Sequence, residues 1–234
     1  MKNMDIVILC GGLGTRLKSV TGDAPKVMAE VDGKPFLDVI IEYLKDQGFQ
    51  RIILCTGYQA QTVERYYQEN SHDMRIVFSR EEEPLGTGGA LKNTRSLIES
   101  DIFFVMNGDS FCPINLKNFL GFYEKQKTIA ALAVSKVDES KDYGGIVLDK
   151  EYRILGFYEK ADVPVGSTAG YVNAGIYCFN KKLFSLMPEM KKFSMEYDVF
   201  PKLIQENIYG FLIDEKFFDI GTPERLKKIR EEKL

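Results

Sequence analysis

The residues best suited to chemistry stand together near the amino terminus, in Leu9-Cys10-Gly11-Gly12-Leu13-Gly14-Thr15-Arg16-Leu17. Glycine at 11, 12 and 14 lets the backbone come close to a ligand and present N–H groups to phosphate oxygens. Arg16 is a permanent cation whose fork geometry suits a polyphosphate, and Lys26, in Pro25-Lys26, adds a second positive point charge. The loop is neither of two common phosphate motifs. Lys18-Ser19 lacks the glycine that a P-loop places before its lysine, and Leu17 stands where the Rossmann fingerprint has its third glycine. A glycine cluster alone equally describes a tight strand-to-helix turn; Arg16 tips the reading towards phosphate. Other chemistries have little to work with. There is one histidine, His72, between Ser71 and Asp73, and it reads as a solvated loop residue. The four cysteines, at 10, 55, 112 and 178, contain no CxxC pair, so a Cys/His zinc site lacks local ligands. Cys10, Cys55 and Cys178 end or interrupt apolar runs and read as reduced core thiols, which suits a reducing cytosol. Lys+Arg 31 against Asp+Glu 34 gives a formal charge of −3 with no basic run, a poor basis for wrapping nucleic acid. Phosphate has to be bound at a focused site.

The elements that must hold these groups follow from the apolar pattern. A chain of 234 residues, 44% apolar, buries about 70–75% of its unfolded surface and builds a core without disulfides or structural metal. Positions 5–10, 51–55, 75–78 and 102–106 read as strands, and 36–47, 62–69 and 89–99 as helices. Strands alternating with helices over about the first 110 residues predict a parallel sheet covered on both faces. Beyond a helix at 116–125, strand-like runs at 129–137, 145–148, 153–159 and 172–179 are separated by turn residues and read as a more antiparallel lobe. Helices are expected at 197–206 and 223–232. Asn107-Gly108-Asp109 falls just past the carboxyl end of a strand, where open α/β sheets place their ligands. The apolar run at 6–10 is too short for a signal peptide, and no run reaches the roughly 18 residues of a membrane span. The expectation is a soluble, cytoplasmic protein.

With the elements in place, Gly11 to Leu17 and Pro25-Lys26 resemble the signature of the sugar-1-phosphate nucleotidyltransferases, or sugar-nucleotide pyrophosphorylases: Gly-Gly-x-Gly-Thr-Arg-Leu, then Pro-Lys about ten residues on. The resemblance continues in order through Pro84-Leu85-Gly86-Thr87-Gly88-Gly89-Ala90, Asn107-Gly108-Asp109, Tyr143-Gly144, Glu159-Lys160, Asn173-Ala174-Gly175 and Asp219-Ile220-Gly221-Thr222-Pro223, so it covers nearly the whole chain. Pro35-Phe36-Leu37 and Gln47-Gly48-Phe49 look like the branch that guanylylates D-glycero-D-manno-heptose 1-phosphate. The resemblance implies an α/β fold of the nucleotide-diphospho-sugar transferase type, a Rossmann-like mixed sheet between helices with a sugar-binding lobe. It implies one domain over 1–234, with 1–110 as the nucleotide-binding half and 111–234 as the sugar-phosphate-binding half. The implied reaction is GTP plus heptose 1-phosphate giving GDP-heptose and pyrophosphate, for capsule or lipopolysaccharide synthesis.

In such a reaction the sugar phosphate is already a nucleophile. Positioning and charge stabilisation carry the catalysis, and no Ser-His-Asp unit is required. By resemblance Arg16, Lys26 and Asp109 are catalytic, and Asp109 with Asp219 hold Mg²⁺. Leu9, Gly11, Gly12, Gly14, Thr15, Arg16, Lys26, Glu81, Leu85, Gly86, Thr87 and Gly88 bind the nucleotide. Tyr143, Gly144, Glu159, Lys160, Asn173 and Ala174 bind the sugar phosphate. Plainer readings stand beside these: a turn carboxylate or helix cap for Asp109, a structured turn for Asp219, a solvated acidic loop for Glu81-Glu82-Glu83 and a strand end for Glu159-Lys160. Glu81 bears on the base. Guanine offers two adjacent donors, N1–H and the N2 amine, and a carboxylate accepts from both, whereas uracil and thymine set one donor between two carbonyls. Leu85 would pack on the base, and glycines 86, 88 and 89 would let it lie close to the backbone. Ser194 to Pro201 reads as a helix start with Ser194 near the cap, or as a sugar contact.

The alternatives are mannose or glucose 1-phosphate, or uridylyl, cytidylyl or thymidylyl transfer. A glycosyltransferase is a weaker option, since Asp109-Ser110-Phe111 lacks the second acid of Asp-x-Asp. Arg16, Lys26, Asp109, Lys160 and Asp219 speak against a non-catalytic sugar-nucleotide sensor. A homo-oligomer is compatible with the sequence. Because the chain ends soon after Asp219, a trailing β-helix or acyltransferase domain is not expected.

Overall fold

Nearly continuous apolar runs make strands that must be covered on both faces, and the structure, a computed structural model, covers them with helices. It describes residues 1–70, 73–136, 145–158 and 170–232. Strand β1 (Asp5–Leu9) leads through the glycine loop and a 3-10 turn at Thr15–Leu17 into the short helix α1 (Lys18–Thr21). A second 3-10 turn, Lys26–Met28, precedes a hairpin of β2 (Glu30–Val31) and β3 (Lys34–Pro35), then helix α2 (Phe36–Asp46). There follow β4 (Arg51–Thr56), α3 (Ala60–Glu69), β5 (Arg75–Arg80), α4 (Gly86–Asn93) and β6 (Ile102–Asn107). The second half runs β7 (Ser110–Phe111), α5 (Leu116–Gln126), β8 (Ala130–Lys136), β9 (Gly145–Leu148), β10 (Ile154–Tyr158), β11 (Tyr171–Asn180), α6 (Phe200–Leu203), β12 (Tyr209–Ile213), β13 (Phe218–Asp219) and α7 (Pro223–Glu232).

Nine of these strands form one mixed sheet. The order β5-β4-β1-β6 is parallel throughout, as the alternation of strand and helix in the first half predicts. β11 then joins antiparallel to β6, and its earlier residues pair antiparallel with β9. Along its other edge β11 carries β8, which in turn carries β12 in parallel. The antiparallel reading of the second half therefore holds, and a single sheet contains strands of both halves. Side chains of β1 alternate between two cores. Ile6 and Ile8 pack with α2, α3, α5 and α7, while Val7 packs with α4 and α6 on the opposite face. Helix α2 shows how the period works: Phe36, Leu37, Ile40, Ile41 and Leu44 are all buried along one face.

Three expectations need correction. The helix expected at 89–99 is α4, which begins earlier and stops at Asn93. There the Thr94 hydroxyl donates to the Leu91 carbonyl at 2.7 Å and competes with the helical bond. The helix expected at 197–206 is a composite of a π turn at Met195–Val199, α6 and a 3-10 turn at Ile204–Glu206. Ser194 starts it, its hydroxyl accepting from the Glu196 and Tyr197 N–H groups. Strand β12 and the two-residue strands were absent from the pattern, being too short or too mixed in polarity to show a period. Among the described residues no helix is long and apolar enough to cross a membrane.

Candidate active site

Parallel strands in common register end together. Leu9 pairs with Asn107 on one side and Cys55 on the other, while Cys55 and Thr56 pair with Ser79 and Arg80. The carboxyl ends of β1, β4, β5 and β6 thus make one rim. A cavity of about 360 Å³ opens there, with Gly11, Gly12, Lys26, Glu81, Thr87 and Asp109 among its walls.

The glycine loop is pinned at its base. The Cys10 N–H donates to the Cys55 carbonyl and the Tyr58 N–H to the Gly11 carbonyl, both at 3.1 Å. Gly14 adopts φ +58°, and a Cβ there would lie 2.9 Å from Lys26 Cβ. The absent side chain is what lets Lys26 enter the cavity, where its Nζ reaches Asp109 Oδ2 at 2.7 Å. Thr15 and Arg16 sit exposed on the following turn. The Arg16 guanidinium forms no hydrogen bond or ion pair among the described residues, and neither residue lines the cavity.

Glu81 leaves β5 with its N–H on the Thr56 carbonyl at 2.7 Å. Its Oε2 accepts from the Leu85 N–H at 3.0 Å, and its Oε1 stands 2.2 Å from where a Cβ on Gly11 would be. Any larger residue at 11 would push this carboxylate away. Burial raises the Glu81 pKa, and the Leu85 N–H offsets part of that rise. Leu85 and Gly88 are buried and do not line the cavity; Pro84, Gly86 and Thr87 do.

The glycines of α4 have another use. The N–H groups of Gly88 and Gly89 both donate to the Phe193 carbonyl, at 3.0 and 3.2 Å, and the Phe193 N–H returns to the Leu85 carbonyl at 3.0 Å. Cβ atoms at 86, 88 and 89 would stand 2.5, 2.4 and 2.4 Å from the Phe193 carbonyl, the Phe193 ring and the Lys191 carbonyl. The chain at 191–196 clasps the start of α4, and the glycines make room for it. The Thr87 hydroxyl completes the clasp, donating to Glu196 Oε2 at 2.7 Å and accepting from the Met195 N–H at 2.9 Å. The clasp brings Lys192 to the cavity wall, which no sequence motif signals. Asn107 also lines it, with a buried Oδ1 that has no hydrogen-bond partner among the described residues; its place near Asp109 was the available signal.

Asp109, in the turn before β7, and Asp219, on β13, are 110 residues apart in sequence and come next to each other along the backbone. β7 pairs antiparallel with β13, Ser110 opposite Asp219, and the Ile220 N–H donates to the Asp109 carbonyl at 3.0 Å. Asp109 lines the main cavity with Lys26. Asp219 lines a separate recess of about 160 Å³ with Arg225, whose Nη1 donates to both of its oxygens at 3.1 and 2.9 Å. The two carboxylates line separate recesses and each already faces a cation, Lys26 or Arg225, so a hard divalent cation, which usually takes one or two carboxylates and completes its shell with phosphate oxygens, would have to displace those partners. No cluster of three or more His, Cys, Asp or Glu side chains occurs among the described residues, so substrate would have to supply the rest.

Of the residues expected to bind the sugar phosphate, Asn173 and Ala174 occupy the bulge of β11 that Gly175 opens with φ +70°. Asn173 Oδ1 accepts from the Gly175 N–H at 2.9 Å and its Nδ2 donates to Tyr177 Oη at 2.8 Å; Ala174 is buried. Neither lines the main cavity. Tyr143, Gly144, Glu159 and Lys160 lie outside the described residues, as does His72.

The nucleotidyl transferase family profile matches residues 5–234. The D-glycero-alpha-D-manno-heptose 1-phosphate guanylyltransferase of Aneurinibacillus thermoaerophilus is 37% identical over 230 residues, 98% of this chain and 98% of that one. The mannose-1-phosphate guanylyltransferase of Mycobacterium tuberculosis is 32% identical over 225 residues, 94% of this chain but 62% of that protein. The crystal structure of HddC from Yersinia pseudotuberculosis superposes with a TM-score of 0.86 at 39% identity, covering 98% of this chain and 99% of that one. HddC complexed with GMP-PN superposes at 0.85, with 38% identity over the same shares of both chains.

Proposed function

The chain belongs to the nucleotidyl transferase family, and from that premise we propose that it transfers the guanylyl group of GTP to D-glycero-D-manno-heptose 1-phosphate, giving GDP-heptose and pyrophosphate. The observation that supports the guanylyl half is the Glu81 carboxylate in the cavity wall, anchored by the Leu85 N–H and, as a carboxylate, able to accept from two adjacent donors. Near full-length likeness to heptose 1-phosphate guanylyltransferases supports the sugar half.

A phosphate oxygen of the sugar phosphate attacks the α-phosphorus in line. The new P–O bond forms as the bond to the bridging oxygen of the β-phosphate breaks, and pyrophosphate leaves with that electron pair. Gly11 and Gly12 let the nucleotide approach the backbone. Lys26 and Arg16 neutralise the triphosphate and the leaving pyrophosphate, Lys26 from within the cavity and Arg16 from its exposed turn. Asp109 and Asp219 would hold Mg²⁺, which supplies charge neutralisation at the phosphates when bound. We assign the sugar phosphate to the half 111–234: Lys160 to its phosphate, Glu159 to sugar hydroxyls, and Tyr143, Gly144, Asn173 and Ala174 to the sugar pocket. The nucleotide falls to 1–110. Four buried free thiols support a cytoplasmic setting.

Mannose 1-phosphate is the second reading, favoured by the 32% identity to a mannose-1-phosphate guanylyltransferase. Pyrophosphate release with GTP, UTP, CTP and dTTP against heptose, mannose and glucose 1-phosphates tests both. The highest kcat/KM is expected for GTP with heptose 1-phosphate. A preference for mannose would transfer the assignment, and no release with any pair would reduce the protein to a sensor.

A further inference from the structure

We infer that Lys192 is a second determinant of base choice, its ammonium donating to the O6 carbonyl of guanine while Glu81 accepts from N1–H and the N2 amine. The inference rests on the guanylyl reading proposed above and names the residue that reads the rest of the base's edge. That edge runs acceptor, donor, donor. A carboxylate satisfies the two donors and leaves the carbonyl, which loses its water on binding and needs a donor in exchange. Adenine sets an amine where guanine has O6, and an ammonium has no acceptor to offer it.

One residue, Leu85, ties both groups to the same wall. Its N–H holds Glu81 Oε2 at 3.0 Å, and its carbonyl accepts from the Phe193 N–H, also at 3.0 Å. Lys192 immediately precedes Phe193, so two hydrogen bonds through Leu85 relate its backbone to the Glu81 carboxylate. The Phe193 carbonyl, which takes the Gly88 and Gly89 N–H groups, stands 2.5 Å from where a Cβ on Gly86 would be, so the clasp cannot slide along α4. Lys192 therefore belongs with Glu81, Pro84 and Gly86 in the cavity wall, whereas the other lysine of that wall, Lys26, is taken by Asp109. The two neighbouring lysines of the clasp differ in the same way. Lys191 is ion-paired with Glu83, while the exposed Lys192 has no ion pair or side-chain hydrogen bond among the described residues. Glu83 ionises below its ordinary value chiefly through its hydrogen bond from Lys191, and to a smaller degree through the charge of Lys192, which puts that charge on the Glu81–Glu83 side of the site. A guanine carbonyl has only water to displace from this ammonium, and the hydrogen bond it gains is charge-assisted.

Two nucleotides that differ at a single atom are the probe: GTP and 6-thio-GTP, whose sulfur is a weak acceptor in place of O6. Calorimetric titration of each into the purified protein at neutral pH, without sugar phosphate, gives the two Kd values. Wild type is expected to favour GTP by about tenfold, the lower end of a hydrogen bond to a charged group. Lys192→Met, which keeps the apolar stem and removes the charge, should bind GTP about tenfold more weakly and 6-thio-GTP almost unchanged, so that the preference closes. Lys192→Arg, which keeps a cationic donor, should retain most of it, and melting curves establish that each variant folds. Equal losses for both nucleotides in Lys192→Met would move the lysine to the triphosphate and overturn the inference, as would no loss for either. Should that variant not fold, a wild type that binds GTP and 6-thio-GTP alike overturns it equally. The guanylyl reading fails separately. A wild type that binds UTP, CTP or dTTP more tightly than GTP sinks both, whereas a GTP-selective wild type whose preference over 6-thio-GTP survives in Lys192→Met sinks the role of the lysine alone.

Discussion

Glu81 keeps its carboxylate between the Leu85 N–H and the bare Cα of Gly11, half-buried in the cavity wall. Burial favours its protonated form, so it ionises above the ordinary value of 4.5. Guanine needs the ionised form as acceptor. As pH falls through the raised pKa, kcat/KM for GTP should therefore drop, with an acid limb above that of an ordinary glutamate. Bound guanine favours the carboxylate, so the limb should weaken in kcat, and Glu81→Gln should abolish it. The same variant should cost about tenfold or more in kcat/KM for GTP, the scale of one charge-assisted hydrogen bond, and less for ITP, which lacks the N2 amine. The stability consequence has a definite sign. Because the folded pKa is raised, the native state binds the extra proton, and stability falls as pH rises from the unfolded to the folded pKa. Glu81→Gln should then melt higher than wild type at neutral pH, with the difference closing in acid. At Asp109, the partner of Lys26, Asp109→Asn should lower turnover by about 10² or more in single-turnover assays, the usual cost of removing one preorganised electrostatic group. Near-normal turnover would remove Asp109 from the machinery.

At the scale of elements, the start of α4 and the chain at 191–196 form one unit. Gly89→Ala would drive a methyl to 2.4 Å from the Lys191 carbonyl, against backbone that cannot rotate away. Overpacking of this kind costs about 1–3 kcal/mol. Displacing the clasp also moves Thr87 and Lys192, so calorimetry should show the loss of stability and steady-state kinetics a raised KM for GTP. Gly12 is the contrast. A Cβ there meets nothing within 4 Å, so Gly12→Ala should keep stability within about 0.5 kcal/mol. If the nucleotide runs along this loop, its KM should still rise. An unchanged KM in Gly12→Ala would move the nucleotide away from the loop.

Across the whole molecule, the end of the sheet opposite the cavity carries its own electrostatic lock. Asp5, only 3% exposed, pairs with Arg51 and accepts from the Glu99 and Ser100 N–H groups. Asp5→Ala takes away the nearest partner of Arg51, which keeps the Glu99 carboxylate at 3.3 Å and the Leu97 carbonyl, and costs about 1.5–3 kcal/mol, the scale of a hydrogen bond to a charged group. Denaturant titration should show that loss, while kcat of the folded fraction should hold, since the lock lies at the start of β1 and the chemistry at its end. Much of this architecture was legible in advance. β1, β4, β5 and β6, the helix at 36–47 and the break to antiparallel pairing after β6 all show in apolar runs and their periods. The candidate site was legible in part. The glycine loop, Lys26, Glu81 and Asp109 stand out by residue type beside strand ends, whereas Lys192 is one lysine among many until the clasp delivers it.

What the sequence by itself determined is local: which stretches bury both faces, where the backbone must do without a side chain, and which charged groups follow a strand. Those properties depend on a residue and its near neighbours, so they survive without coordinates. Only the tertiary structure decided that Asp109 and Asp219 come next to each other along the backbone, that glycines 86, 88 and 89 serve a clasp, and that Arg225 holds the second aspartate. These are meetings between segments up to 110 residues apart, and sheet order and register, summed over the whole core, settle them.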